Sequence, residues 1–203
     1  MKCLVLLAGC GLGDGSQIEE VILTYLTLDK YKIEYQPIAI NKDTPCFNHL
    51  TEEKEGQRNI LIESARIGRG RIKNLTDIDL DEYKALIIPG GIGLIRNYRN
   101  SEEIHKLVND FIDKGKPIAG MCSALVLFQK IISSDILKME RDFTDSTNYC
   151  YDEQFNVYYT LAFRRSQNLN EILHGIDSMI NALINIYNLN LPYNELNITY
   201  IIN

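Results

Sequence analysis

Three short apolar runs limit what this chain can fold into. Residues 2–8 (Lys-Cys-Leu-Val-Leu-Leu-Ala), 84–89 (Lys-Ala-Leu-Ile-Ile-Pro) and 116–121 (Lys-Pro-Ile-Ala-Gly-Met) are too short for stable helices and show no polar alternation. Runs of that kind are strands buried on both faces, the condition of a parallel sheet covered by helices. Each breaks into small residues. Gly9-Cys10-Gly11-Leu12-Gly13-Asp14-Gly15-Ser16 follows the first, Gly90-Gly91-Ile92-Gly93 the second, and Cys122-Ser123-Ala124 the third.

Segments of helical periodicity lie between them. Residues 17–28 read as a helix capped by Ser16, with Glu19 completing a capping box. Residues 58–68 place Ile60, Ile62, Ala65 and Ile67 in a second helix, ended by Gly68 or Gly70. Residues 102–114 carry Ile104, Leu107, Val108, Phe111 and Ile112 on one face. A helix runs from Cys122 to about residue 132, and a final one spans 169–187. Residues 32–40 and 155–161 are further strands. The alternation predicts one doubly wound, flavodoxin-like α/β domain over residues 1–187, with a mostly parallel sheet and helices on both faces. Residues 41–57 read as a polar loop over the site end of the sheet and 133–154 as an irregular connection. Residues 188–203 read as a tail holding at most one edge strand.

Composition narrows the partners. The chain has 203 residues, 45% hydrophobic and 24% charged, as in an ordinary soluble globular protein. A net charge of −6 supplies neither the basic footprint of a nucleic-acid binder nor a polybasic membrane patch. A small molecule or a protein is the expected partner. Five cysteines (Cys3, Cys10, Cys46, Cys122 and Cys150) make no CxxC pair and no zinc spacing, so no metal is expected and a reducing compartment is. Leu7-Ala8-Gly9-Cys10 resembles a lipoprotein cleavage site, but the apolar core before it is shorter than the roughly 7–15 residues of a signal peptide. The expectation is a cytoplasmic protein without a membrane span.

In sheets of this kind sites form outside the carboxyl ends of the strands. Cys10, Gly90-Gly91 and Cys122 all fall there. A cysteine opening a helix meets free N–H groups and the positive end of the helix dipole, which favour a thiolate. A small buried hydrophobe is the competing reading of Cys122. Bare N–H groups at Gly90-Gly91 suit an oxyanion hole, or a plain tight turn. The loop at 9–16 lacks the third glycine of a dinucleotide fingerprint, so it reads as a close-approach turn. Asn48 and His49 either line a pocket or sit in a solvated loop.

Together, residues 116–124, Pro89-Gly90-Gly91 and a glutamate on the first helix resemble the DJ-1/PfpI superfamily, which has a class I glutamine amidotransferase-like fold. Gly9-Cys10-Gly11, Asp14-Gly15-Ser16, Asn48-His49-Leu50-Thr51, Arg58-Asn59, Glu63-Ser64-Ala65-Arg66-Ile67 and Arg69-Gly70 resemble its ElbB-like branch, described as isoprenoid (lycopene) biosynthesis proteins and as glyoxalases. The resemblance spans about residues 2–187. It implies a nucleophile at Cys122, a proton-handling carboxyl at Glu20 and an oxyanion hole from the N–H groups of Gly91 and Ser123. Cys10, Gly11, Asn48, His49 and Arg58 are pocket candidates. No cofactor is implied, and a homodimer is.

The chain departs from the superfamily's better-known chemistries. His174 is followed by Gly175 and Ile176 instead of completing the His-x-Glu of a glutaminase, and Ser123 replaces the histidine that follows the nucleophile in the protease branch. Leu125 stands where the branch usually has proline, and the chain is shorter than the branch after Asn100 and between residues 132 and 155. Without a histidine base, amide transfer and proteolysis lack their activator. What the resemblance to the ElbB-like branch implies instead is a glyoxalase-type conversion of small α-oxoaldehydes through Cys122. The alternatives are a redox-sensing role, or a partner-binding subunit linked to isoprenoid biosynthesis.

Overall fold

The computed structural model describes residues 1–133 and 144–189, with side chains through Asn185. The strands are β1 (Lys2–Leu6), β2 (Glu34–Ala39), β3 (Asp43–Phe47), β4 (Lys54–Asn59), β5 (Lys73–Asn74), β6 (Ala85–Ile88), β7 (Ile118–Met121), β8 (Cys150–Asp152) and β9 (Val157–Thr160). The helices are α1 (Ile18–Lys30), α2 (Ile60–Ile67), α3 (Ile92–Tyr98), α4 (Glu102–Asp113), α5 (Ala124–Ile131) and α6 (Leu169–Leu189). Seven strands form one sheet in the order β5-β2-β1-β6-β7-β9-β8, and every pairing in it is parallel except that of the edge strand β8 with β9. This is the doubly wound sheet expected from the three apolar runs.

The period-two geometry of a strand divides those runs between two cores. Leu4, Leu6, Leu86 and Ile88 pack beneath α3, α4 and α5 with Tyr98, Leu107, Phe111 and Phe128. Cys3, Val5, Leu7, Ile87 and Met121 pack beneath α1 and α6 with Val21, Leu28, Ile176 and Ile180. All six residues from Cys3 to Ala8 are sealed from solvent, which is why no polar residue interrupts them.

Two local expectations are corrected. Gln17, not Ser16, is the residue preceding α1, and no side chain caps that helix. Ser16 Oγ instead accepts from the Ala8 N–H at 2.9 Å, because the glycine loop folds back on the end of β1. The Gln17 N–H donates to the Gly90 carbonyl at 2.9 Å, so the start of α1 is satisfied by the neighbouring turn instead of a capping box. Residues 41–57 are not a loop either: β3 and β4 pair there as an antiparallel hairpin. Its turn is closed by Asn48 Oδ1, which accepts from the N–H groups of Leu50 and Thr51. Of the stretch read as an irregular connection, residues 134–143 lie outside the described residues, and β8 follows them. Most of the tail, residues 190–203, also lies outside them.

Candidate active site

The chain turns sharply where β7 meets α5. Cys122 takes φ 53°, a left-handed value that L-residues adopt at a cost. Its N–H extends the β7–β9 ladder by one bond, to the Thr160 carbonyl at 3.2 Å. Its own carbonyl has left the sheet and accepts from the Tyr159 hydroxyl at 2.8 Å. Ser123, in αR conformation, starts α5, and its hydroxyl donates to the Gly91 carbonyl at 2.6 Å.

Glu20, on the first turn of α1, is 0% exposed. Its Oε2 accepts from the Gly90 N–H at 2.6 Å, and Oε1 has no conventional hydrogen-bond partner among the described residues. Gly90 lies between the two functional side chains: a Cβ there would press on both Cys122 Cβ and Glu20 Oε2. Only glycine lets the thiol and the carboxyl share one site, which is the physical reason for Gly90. Burial pushes the Glu20 carboxyl up to about 7, against the opposing pull of the Gly90 N–H and the Cys122 contact. The Cys122 thiol is also pushed up, first by burial and then by the negative charge of Glu20. The Ser123 N–H and the Arg164 charge act the other way without overcoming this. The helix N-terminus favours a thiolate at Cys122, and burial together with the Glu20 charge acts against it.

Gly91, at φ 124°, lies against the glycine loop, where Gly15 O occupies the space a Cβ would need. A trans peptide points N–H and C=O in opposite directions. With the Gly90 carbonyl bonded to Gln17, the Gly91 N–H points away from α1.

Of the pocket candidates, Asn48 and His49 line a cleft of about 120 Å³ with Leu12, Phe47, Ile92 and Arg96, and they also hold the local fold together. His49 Nε2 accepts from the Gly13 N–H at 3.0 Å while Nδ1 lies 3.1 Å from the Phe47 carbonyl, so His49 clips the hairpin to the glycine loop as an Nδ1–H tautomer. Gly11 is glycine because the His49 ring fills the space beside it. Asn48 closes the hairpin turn, and Arg58 pairs with Glu63 at 3.5 Å, where Arg66 joins it at 3.1 Å. Cys10 and Arg58 share a small cleft with Asp14, Thr44 and Glu63, and Cys122 is not in its walls. A larger cavity of about 650 Å³, walled by Ile40, Leu75, Ile78 and Leu107 with Lys42, Lys106, Glu103 and Asp110 among its polar residues, has no cysteine in its lining. The remaining histidines are accounted for elsewhere. His105 bonds to the Arg99 carbonyl, and His174 is exposed on α6. Among the described residues no three His, Cys, Asp or Glu side chains converge on a metal position.

Tyr159, Thr160 and the turn Ala162–Arg164 were not singled out in the sequence, and Gly90 was read for an oxyanion hole or a tight turn, not as the donor to Glu20. The backbone of Phe163 in that turn approaches Glu20. Their signal was weak because they act through backbone groups or a hydroxyl that nothing in the local pattern marks.

A parallel sheet with a left-handed cysteine on a strand–helix elbow and a buried carboxyl beside it defines a class of α/β proteins with a cysteine-centred site. The chain belongs to the DJ-1/PfpI family, whose profile matches residues 12–144. It is 33% identical over 147 residues to the Homo sapiens glutamine amidotransferase-like class 1 domain-containing protein 3, mitochondrial, covering 64% of this chain and 54% of that protein. It is 27% identical over 157 residues to the Danio rerio ES1 protein, mitochondrial, covering 68% and 58%. The chain thus spans little more than half the length of these relatives. A crystal structure described as an isoprenoid biosynthesis protein with amidotransferase-like domain, from Ehrlichia chaffeensis, superimposes with a TM-score of 0.84 at 28% identity, covering 92% of this chain and 99% of that one. Drosophila melanogaster DJ-1beta shares the fold at a TM-score of 0.54 and 14% identity, covering 95% and 98%. No helix among the described residues is long and apolar enough to cross a membrane.

Proposed function

We propose that Cys122 and Glu20 convert small α-oxoaldehydes, glyoxal or methylglyoxal, to 2-hydroxy acids without a cofactor. The observation that carries this reading is a fully buried carboxyl titrating near neutrality beside an elbow thiol. Such a group can accept and return a proton within one turnover. As the sulfur adds to the aldehyde carbon, a C–S bond forms, Glu20 takes the thiol proton, and the new oxyanion meets the N–H groups of Gly91 and Ser123. Protonation of that oxygen gives a hemithioacetal. Moving the C1 proton to C2 through an enediol then oxidises C1 and reduces C2, leaving a thioester of the hydroxy acid. Water cleaves the C–S bond and restores the thiol. The redox change is internal, so no external oxidant is needed. The groups that act most on the Cys122 sulfur are Glu20, the Ser123 N–H and Arg164, with no histidine among them, which supports this reading over amide transfer or proteolysis.

The test is methylglyoxal consumption by the wild-type chain and by Cys122→Ala. Loss in the variant supports the proposal, and equal rates end it.

A redox-sensing role is the second reading, favoured by the buried Glu20 carboxyl beside Cys122, which when protonated can donate to an oxygen added on sulfur. Mild peroxide followed by mass spectrometry separates the two: preferential oxidation of Cys122 over Cys3 and Cys150 without aldehyde turnover favours sensing. The Ehrlichia chaffeensis relative's description supports a link to isoprenoid biosynthesis as a further alternative, in which the fold serves as a partner-binding subunit.

Our reading of assembly is a homodimer. Ile18, Ile22 and Leu26 lie one turn apart on α1 and are 42%, 46% and 54% exposed, an apolar stripe suited to a second copy. Five free thiols fit a reducing compartment, which we take as the cytoplasm, while the mitochondrial relatives point to an organelle as the competing location.

A further inference from the structure

The left-handed backbone at Cys122 needs something to hold it. Non-glycine residues in that region are strained and persist where surrounding structure fixes them. Here the constraint comes from consecutive residues of one strand. Thr160 takes the Cys122 N–H, and Tyr159 gives its hydroxyl to the Cys122 carbonyl at 2.8 Å. The ladder between β7 and β9 ends at Met121 and Thr160, so the Cys122 carbonyl has already turned away from strand partners. Tyr159 is fully buried, with its ring in the core beneath α3, α4 and α5, and only its hydroxyl end reaches the elbow.

We infer that Tyr159 is a positioning residue whose hydroxyl locks the Cys122 peptide, keeping Sγ turned toward Glu20. The ring supplies the core packing and the hydroxyl the lock, so the two roles are separable. Without the hydroxyl a part-buried carbonyl loses its partner, and the elbow relaxes away from φ 53°. The charged and polar groups that act on the sulfur are Glu20 from α1, the Ser123 N–H of α5 and Arg164 from the turn after β9. A shift in the elbow changes its relation to all three. The consequence for reactivity rests on the nucleophile–carboxyl reading above, but the hold on the backbone does not.

Tyr159→Phe keeps the ring and removes the hydroxyl. Two readouts apply to the full chain: hydrogen exchange at the Cys122 amide, and the pH profile of Cys122 alkylation by iodoacetamide. The inference expects amide protection to fall about fivefold or more, the worth of one net hydrogen bond. It also expects the alkylation profile to lose definition near pH 7 while the melting temperature stays within a few degrees of wild type. Unchanged amide protection in Tyr159→Phe overturns the inference. A wild-type profile with no inflection near pH 7 counts against the Cys122–Glu20 reading alone, and amide exchange then decides the role of Tyr159. If Tyr159→Phe proves too unstable to compare, exchange at Cys122 relative to Ile87 within the same sample gives the ratio, and an unchanged ratio again overturns it.

Discussion

The Gly90 N–H donates to Glu20 Oε2 at 2.6 Å, tying the turn after β6 to the first turn of α1. This bond brings a carboxyl from one side of the sheet to a thiol that belongs to another element. It also leaves the second carboxyl oxygen without a conventional partner in a buried setting, where an ionised group is costly. Burial raises the Glu20 carboxyl to about 7, outweighing the opposing pull of the Gly90 N–H, Cys122 and the Phe163 backbone.

Glu20 makes the fold less stable as pH rises. A carboxyl that ionises near 4.5 in the unfolded chain and near 7 in the folded one holds its proton more tightly when folded. The Glu20 contribution to stability is therefore greatest below about pH 4.5 and falls until about pH 7, by on the order of 3 kcal/mol in the limit of full burial. Glu20→Gln removes this ionisation and keeps an acceptor for Gly90. Melting temperatures measured from pH 4 to 8 should show the variant gaining on wild type as pH rises, and parallel curves would remove the basis for a raised carboxyl.

Gly93 is where two glycine-rich turns meet backbone to backbone, with Asp14 and Gly15 occupying the space a side chain would need. Backbone cannot move aside as a flexible side chain can. Gly93→Ala should cost about 3 kcal/mol or more in urea unfolding, the upper end for overpacking. A loss below about 1 kcal/mol would mean that the two turns can separate freely.

His49 is assigned to the hairpin and not to the chemistry. His49→Ala should cost about 1 kcal/mol through the unpaired Gly13 N–H and speed proteolysis within residues 48–57. Alkylation of Cys122 should change less than twofold. A tenfold fall in Cys122 reactivity with the fold intact would return His49 to the site.

The sheet was legible because burial leaves a direct mark: residues sealed on both faces must all be apolar, as Cys3 to Ala8 are. The pairing of Cys122 with Glu20 came from resemblance, since no spacing rule links positions so far apart in the chain. The β3–β4 hairpin was missed because Pro45 and the polar stretch 54–59 carry no strand pattern. The pairing is set from outside, by Phe47 N–H to Asp14 at 2.9 Å, Arg96 stacked 3.9 Å over the Phe47 ring, and the His49 clip. The forces that oppose a thiolate at Cys122 were hidden for a related reason: a helix terminus is visible in sequence, but the depth of burial around a sulfur is not.

The most direct test of the account is the rate of Cys122 alkylation by iodoacetamide across pH 5 to 10, in wild type and in Glu20→Gln. If Glu20 receives the thiol proton, the wild-type rate rises through an inflection near pH 7, and Glu20→Gln lacks it, reacting only as its own thiol ionises at higher pH. A wild-type profile without that inflection, or an inflection that survives Glu20→Gln, contradicts the assignment of Glu20 as the proton partner of Cys122.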